Sequence, residues 1–175
     1  MKTTNELNIN LREATEADRV TLNNLQYLYD HDMSVYAQDG DGNVLANGLF
    51  DNEIVNIFYA LDEETRKIFL IECNQAIAGF VLLAKSPHTD GTDYYINDFF
   101  ILNRFKGKGI VKTAVKQIFE SYPGTYGVSQ LINNQPAICF WKKVLDENNL
   151  DYQEKQWTAE DGNKCLCQEF TVPKS

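Results

Sequence analysis

Phe99-Phe100-Ile101-Leu102-Asn103-Arg104-Phe105-Lys106-Gly107-Lys108-Gly109-Ile110 is the stretch that decides how the rest of this chain is read. Four apolar residues suited to a buried strand give way to a lysine and glycine turn. An amphipathic helix follows, with Val111, Ala114, Val115, Ile118 and Phe119 on one face and Lys108, Lys112 and Lys116 on another. Backbone N–H groups at a helix start lack intrahelical partners, and the helix dipole adds partial positive charge there. Glycine lets a bulky anion reach those amides, since no Cβ intervenes. Arg104, Lys106, Lys108 and Lys112 gather at this one helix start although the chain carries a net charge of −9. Cations in that position are unfavourable until an anion joins them. The pattern predicts a pyrophosphate cradle built from the amides of residues 106–111.

Working outward, residues 8–12 alternate as a first strand, and Thr15-Glu16-Ala17-Asp18 reads as a capping box opening a helix to about residue 36. Asp39-Gly40-Asp41-Gly42-Asn43 resembles the opening of a calcium loop. Val44 stands where its glycine belongs and Phe50 where its bidentate glutamate belongs, so it reads as turn chemistry. A second helix is expected over 52–61, then strands at 67–73 and 76–84 joined by an Asn74-Gln75 hairpin turn. Residues 86–92 form a loop, and 94–102 read as the longest, most hydrophobic and therefore central strand. Pro123-Gly124 ends the helix after the glycine turn, and a strand follows at 126–132. Pro136 opens a helix with Ala137, Phe140, Trp141, Val144 and Leu145 in phase. Strands at 152–157 and 164–172, turning through Asp161-Gly162, close the chain. Hairpins mixed with crossovers predict one mixed sheet.

Composition narrows the class. With 175 residues, 43% apolar content and no internal repeat, one domain over 1–175 is expected. An excess of 25 acids over 16 bases argues against nucleic acid as a partner. Residues 1–10 carry no targeting segment and no apolar run suits a bilayer, so no membrane association and a cytoplasmic location are expected. Cys73 and Cys139 fall in apolar patterns as small buried hydrophobes do, while Cys165 and Cys167 share one face of a strand. His31 and His88 lie too far away in sequence to complete a zinc site, so free thiols and no metal are expected.

The order β-α-α-β-β-β-α-β-α-β-β resembles the GNAT superfamily of acyl-CoA-dependent N-acyltransferases over nearly the whole chain. The motifs that carry the likeness are the apolar strand, the glycine turn and its helix, then Asn134-Gln135-Pro136-Ala137-Ile138-Cys139-Phe140-Trp141. Tyr29-Asp30-His31-Asp32-Met33-Ser34 and Ile77-Ala78-Gly79-Phe80 are similar to a bacterial subgroup of predicted acetyltransferases. Read literally, Arg104-x-x-Gly107-x-Gly109 satisfies the family's turn motif. Counted from the strand, its Arg/Gln falls on Lys106 and its final Gly/Ala on Val111.

The resemblance implies an α/β (α+β type) fold, a single GNAT-like domain with a central mixed, mostly antiparallel twisted sheet flanked by helices. It implies transfer of an acetyl group from acetyl-CoA, as cosubstrate, to a primary amine of a small molecule or peptide by direct attack, and a possible homodimer. The cofactor's pyrophosphate would rest on Lys106, Gly107, Lys108, Gly109, Ile110 and Val111, its pantetheine arm along Ile101 and Leu102, with Asn134 nearby. Asp98 would be the base that deprotonates the amine; burial beside Phe99 and Phe100 would raise its pKa. The other reading is that Asp98 holds a backbone amide or a tyrosine hydroxyl. A bulge would let Asn97 point into the same region. Asn134 equally suits an N-terminal cap. Trp141 stands where relatives place a tyrosine acid, and tryptophan cannot donate that proton. Phe140 and Trp141 read as core, and His31 as an exposed or capping residue between the first two helices, an acceptor contact being the alternative. A non-catalytic acetyl-CoA sensor or interaction module on the same fold is the alternative function.

Overall fold

A computed structural model describes residues 7–36, 44–50, 53–85, 91–159 and 161–174. The expected turn at 39–43 and most of the 86–92 loop, with His88, lie outside these. Among the described residues seven strands form one sheet: β1 (Ile9–Glu13), β2 (Arg66–Cys73), β3 (Ala76–Lys85), β4 (Tyr94–Ile101), β5 (Gly124–Leu131), β6 (Tyr152–Thr158) and β7 (Lys164–Val172). Their order is β1-β2-β3-β4-β5-β7-β6, antiparallel throughout except for a short parallel pairing of β4 with β5. The four α-helices among the described residues are α1 (Arg19–Met33), α2 (Ile54–Ala60), α3 (Ile110–Ser121) and α4 (Gln135–Glu147). None of the described helices is long and apolar enough to cross a membrane.

Local chemistry explains most of the element ends. Asn74 and Gln75 both adopt positive φ, 50° and 67°, as a two-residue hairpin turn with the strands' own twist requires. The Thr15 N–H donates to Asp18 Oδ2 at 2.8 Å, closing the expected capping box. That box opens a single 3₁₀ turn before α1, and Arg12 clamps it to the sheet through Asp18 and Glu72, each at 2.9 Å. The helix ends at Met33, short of residue 36, and His31 sits exposed in its last turn, not between helices. β4 is the middle strand, but β3 is longer, ten residues against eight, and more continuously buried.

Two apolar cores sandwich the sheet. Ile110, Ala114, Val115, Ile118 and Phe119 of α3 pack with Trp141, Val144 and Leu145 of α4 onto one face. Leu22 and Leu25 of α1 pack with Val55 and Phe58 of α2 onto the other, over Leu70, Phe80, Leu82 and Phe100. Each fully buried valine, leucine, isoleucine or phenylalanine among them contributes about 1.5–3 kcal/mol. Cys73, Cys165 and Cys167 are buried free thiols, whereas Cys139 is exposed: Ile138, not its neighbour, turns inward, which corrects the expected helical phase.

Candidate functional site

The glycine turn is open and built from backbone. Gly107 and Gly109 both sit at φ 75°, the left-handed region where a side chain is strained, and a Cβ at either would meet nothing within 4 Å. The first intrahelical bond of α3 runs from Thr113 N–H to the Gly109 carbonyl at 3.2 Å, so the amides between Lys106 and Thr113 precede the helical ladder. Ile110 is buried and Val111 packs against the core, so the bulk of Val111 points away from the turn. Around it, Lys106 pairs with Asp32 at 3.2 Å and Lys112 with Glu147 at 3.1 Å. Arg104 and Lys108 lie over the Phe105 ring, 5.0 and 5.7 Å from its centroid, with no carboxylate partner among the described residues.

Just before this turn the sheet divides. β4 pairs with β5 only from Tyr94 to Ile96, opposite Tyr126 to Val128. Beyond that, β4 keeps β3 and β5 keeps β7, but the two no longer pair with each other. The register against β3 jumps from Leu83↔Ile96 to Leu82↔Asp98, leaving Asn97 as an extra residue in a β-bulge. Even spacing would keep Ile96 and Phe100 on one face. With the bulge, Ile96 joins the core under α3 and α4, and Phe100 the core under α1 and α2. Gly79 supports the same stretch, because a Cβ there would overlap the Phe100 carbonyl. Ile101 is the last strand residue. Leu102 is already engaged, its N–H on the Ala78 carbonyl and its own carbonyl accepting from Phe105, both at 2.8 Å.

Asp98 is buried, 8% exposed, in a cluster drawn from α1. Burial first, then the nearby charge of Asp30, push its carboxyl up to about 6. Hydrogen bonds from Tyr29, Asn97 and Gln26 favour the charged form and limit the rise. Tyr29 is itself held well above the ordinary phenol range, by burial and then by the Asp98 charge. Its ring stands edge-on to Phe80 and Phe100, with centroids 6.2 and 5.9 Å away, which locks the hydroxyl in place. Gln26, 2% exposed, donates to Asp30 Oδ1 at 3.2 Å.

Gln26, Tyr29 and Asp30 were missed as site residues by sequence reasoning. The signal was present: Leu22, Leu25, Gln26, Tyr29 and Met33 recur at helical spacing, so a glutamine and a tyrosine interrupt an apolar stripe. The last turn of α1 also reaches both neighbouring elements. Asp32 holds Lys106 of the glycine turn, and Met33 Sδ accepts from Asn134 Nδ2 at 3.6 Å.

Asn134 caps α4, its Oδ1 accepting from the Ala137 N–H at 3.1 Å. Trp141 is buried edge-on against Phe99, and Phe140 packs partly buried beside it. A groove of about 920 Å³ at the far end of α3, with Phe119, Tyr152 and Phe170 in its wall, gathers none of the residues above.

The family model for the acetyltransferase (GNAT) family matches residues 23–146. No curated protein sequence matches the chain. Solved structures do. The ribosomal-protein-S18-alanine N-acetyltransferase of Escherichia coli superposes at a TM-score of 0.59, with 10% identity over 96% of this chain and 96% of its own. The spermidine/spermine N-acetyltransferase SpeG of Vibrio cholerae does so at 0.59, with 11% identity over 94% and 92%. A streptothricin-acetyltransferase-like protein of Bacillus anthracis, solved with acetyl coenzyme A, aligns at 0.51, with 15% identity over 67% and 68%. At such identities the likeness is one of fold.

Proposed function

The chain belongs to the acetyltransferase (GNAT) family, and from that premise we propose that it transfers an acetyl group from acetyl-CoA to a primary amine of a small molecule or peptide. The observation that carries this reading is a juxtaposition along one strand and its continuation. An open helix-start turn with amides ahead of the helical ladder lies just beyond a strand edge that has lost its neighbour, and a buried carboxylate sits where that edge begins. The residues present fit a thioester with a nucleotide tail. The amides of 107–111 would hold its pyrophosphate, since the expected Lys106 N–H is spent on the Asn103 carbonyl at 3.2 Å, with Arg104 and Lys108 as nearby counter-charges. The edge of β4 from Asn97 to Ile101 would accept the arm as an added strand. Asn134 keeps one amide hydrogen beyond its weak sulfur contact for that arm.

Bound acetyl-CoA supplies an activated acyl carbon. Asp98 takes a proton from the acceptor's ammonium, so that the neutral nitrogen attacks; the new C–N bond forms as the C–S bond breaks. The acylated nitrogen sheds its second proton as the thiolate departs, and solvent or a tyrosine relays a proton to the sulfur, since buried Trp141 offers none. Holding donor and acceptor together supplies much of the rate by proximity. Structures of similar fold include enzymes named for polyamine and protein amines, which supports an amine acceptor without choosing between them.

The missing acid at Trp141 favours a second reading, a non-catalytic acetyl-CoA sensor. Thiol release from acetyl-CoA, measured across polyamines, aminoglycosides, amino acids and short peptides, decides between them. Turnover with one class establishes the transferase. Saturable acetyl-CoA binding without turnover establishes the sensor, and no binding removes both.

A further inference from the structure

Tyr126, Val128 and Gln130 alternate along β5 on the face covered by α3 and α4, and the first two are core residues there. Gln130 is 6% exposed, yet neither its Oε1 nor its Nε2 has a hydrogen-bond partner among the described residues. Gln168 lies diagonally across on β7, opposite Val128, and is fully buried. Its Nε2 reaches Glu154 Oε1 at 3.3 Å, while its Oε1 is also unpartnered. Folded proteins rarely leave a buried carboxamide with both ends unspent, because each end keeps its full desolvation cost. A bond between the two glutamines would still leave Gln130 Oε1 alone.

Location supplies the reason. Pairing of β4 with β5 stops at Ile96↔Val128, so Gln130 is the first residue of β5 beyond the division that faces α3 and α4. Tyr126 and Val128 illustrate what this wall uses where no ligand passes. We infer that Gln130 recognises the secondary amides of the donor's pantetheine arm, its carboxamide offering a donor and an acceptor that nothing else among the described residues uses. The inference rests on the acyl-CoA reading above. It adds a side-chain contact that discriminates among thioesters by their arm, separate from the backbone turn that grips the nucleotide.

The test compares equilibrium binding of CoA and of adenosine 3′,5′-bisphosphate, which lacks the arm, to the full chain and to Gln130→Leu. Thermal unfolding of both ligand-free proteins is recorded alongside. Loss of hydrogen bonds to the arm should weaken CoA roughly five- to tenfold and leave the bisphosphate unchanged. Removing an unsatisfied amide should hold or raise the ligand-free Tm. Unchanged CoA affinity in Gln130→Leu overturns the inference. So does a lower Tm with CoA and bisphosphate weakened equally, which marks a structural amide. Should the leucine variant fail to fold, Gln130→Met takes the same readouts. An unsubstituted chain that binds neither compound overturns the acyl-CoA reading itself, and this inference with it.

Discussion

The glycine turn and the Asp98 cluster lie within a dozen residues of each other in sequence, yet they are made in opposite ways. The turn is exposed, uses main-chain donors, and needs from its residues chiefly that Gly107 and Gly109 lack a Cβ. The cluster is buried, uses side chains, and borrows Gln26, Tyr29 and Asp30 from a helix at the other end of the sequence. A backbone site tolerates most substitutions and fails abruptly at glycine. A side-chain site in low dielectric is tuned by every neighbour, because an unpaired or repositioned polar group there is expensive. The two regions should therefore answer differently to mutation, with cradle changes read in cofactor affinity and cluster changes in turnover and its pH dependence.

The largest separation is expected from Asp98→Asn. A general base in this position contributes about 10²–10⁴ in rate, so kcat/KM should fall by that order while acetyl-CoA still protects against unfolding. In the unsubstituted chain the base must be ionised, so activity should rise with pH and level off above about 6. That acid limb should vanish in the variant. Stability carries the same signature with the opposite sense. A folded-state pKa raised above the unfolded value means the folded chain holds the extra proton between the two. The Asp98 contribution to stability should fall as pH climbs from about 4, the unfolded aspartate value, to about 6, and then stay level, against the opposite trend of the ion-paired Asp18 and Glu72. Asp98→Asn should remove that slope in thermal melts. A variant with full turnover and an intact acid limb would reduce Asp98 to a holder of the Tyr29 hydroxyl.

Replacing both Gly107 and Gly109 with valine attacks the other region. β-Branched residues at positive φ are genuine outliers, and the side chains would fill the open space over the amides. Acetyl-CoA affinity should drop at least about tenfold, so thermal protection at a concentration that gives the parent about 2.7 kcal/mol should fall to about half of that or less. Single substitutions at Arg104 or Lys108 should cost less, since each removes one solvated charge from a site whose amides remain. Unchanged protection in the double valine variant would disconnect the turn from the cofactor.

How far the sequence revealed these regions follows the same division. The turn was legible because strand end, glycines and helix start are contiguous, and their φ angles are local properties. Asp98 was visible as a carboxylate in an apolar strand. A bulge at Asn97 and a tyrosine hydroxyl partner could be raised from the sequence, but which tyrosine it is and which face Asp98 takes depend on the bulge, which is defined only against the partner strand. Gln26 and Tyr29 were hidden for a related reason: a helix stripe with two polar-tipped members reads as an imperfect amphipath until its partner is known. That hairpins and a crossover build one mixed sheet was legible, whereas the placing of β7 between β5 and β6 and the greater length of β3 than β4 emerge only from the pairing. Cys139 shows the limit of periodicity, since a one-position error in helical phase moves a side chain from core to water.

Tyr29→Phe asks whether the cluster is tuned as closely as burial suggests. The hydroxyl donates to Asp98 and lowers its pKa, so its loss should let burial and Asp30 push the carboxyl further up. The acid limb should move to higher pH, and activity at pH 7 should fall roughly three- to tenfold, the worth of one hydrogen bond to a charged group or somewhat less. Rates at pH 8 and above should recover toward the parent, and acetyl-CoA protection should not change. Equal losses at every pH would mean that Tyr29 acts through packing alone.

The smallest effect lies where the two regions touch. Asp32, near the end of α1, pairs with Lys106 of the glycine turn, both side chains being substantially solvent-exposed. Exposed pairs of this kind contribute about 0–1 kcal/mol, so Asp32→Asn should leave the Tm within about 4 °C of the parent. Its interest is electrostatic. The paired carboxylate neutralises a lysine that an incoming phosphate would otherwise meet uncompensated. Releasing Lys106 should tighten acetyl-CoA about twofold at low salt, and the gain should fade as ionic strength rises. Asp98 is shifted by Asp30, not by Asp32, so the acid limb should stay near pH 6. A moved limb together with unchanged affinity would show that the last turn of α1 couples cradle and cluster through its position instead of its charge.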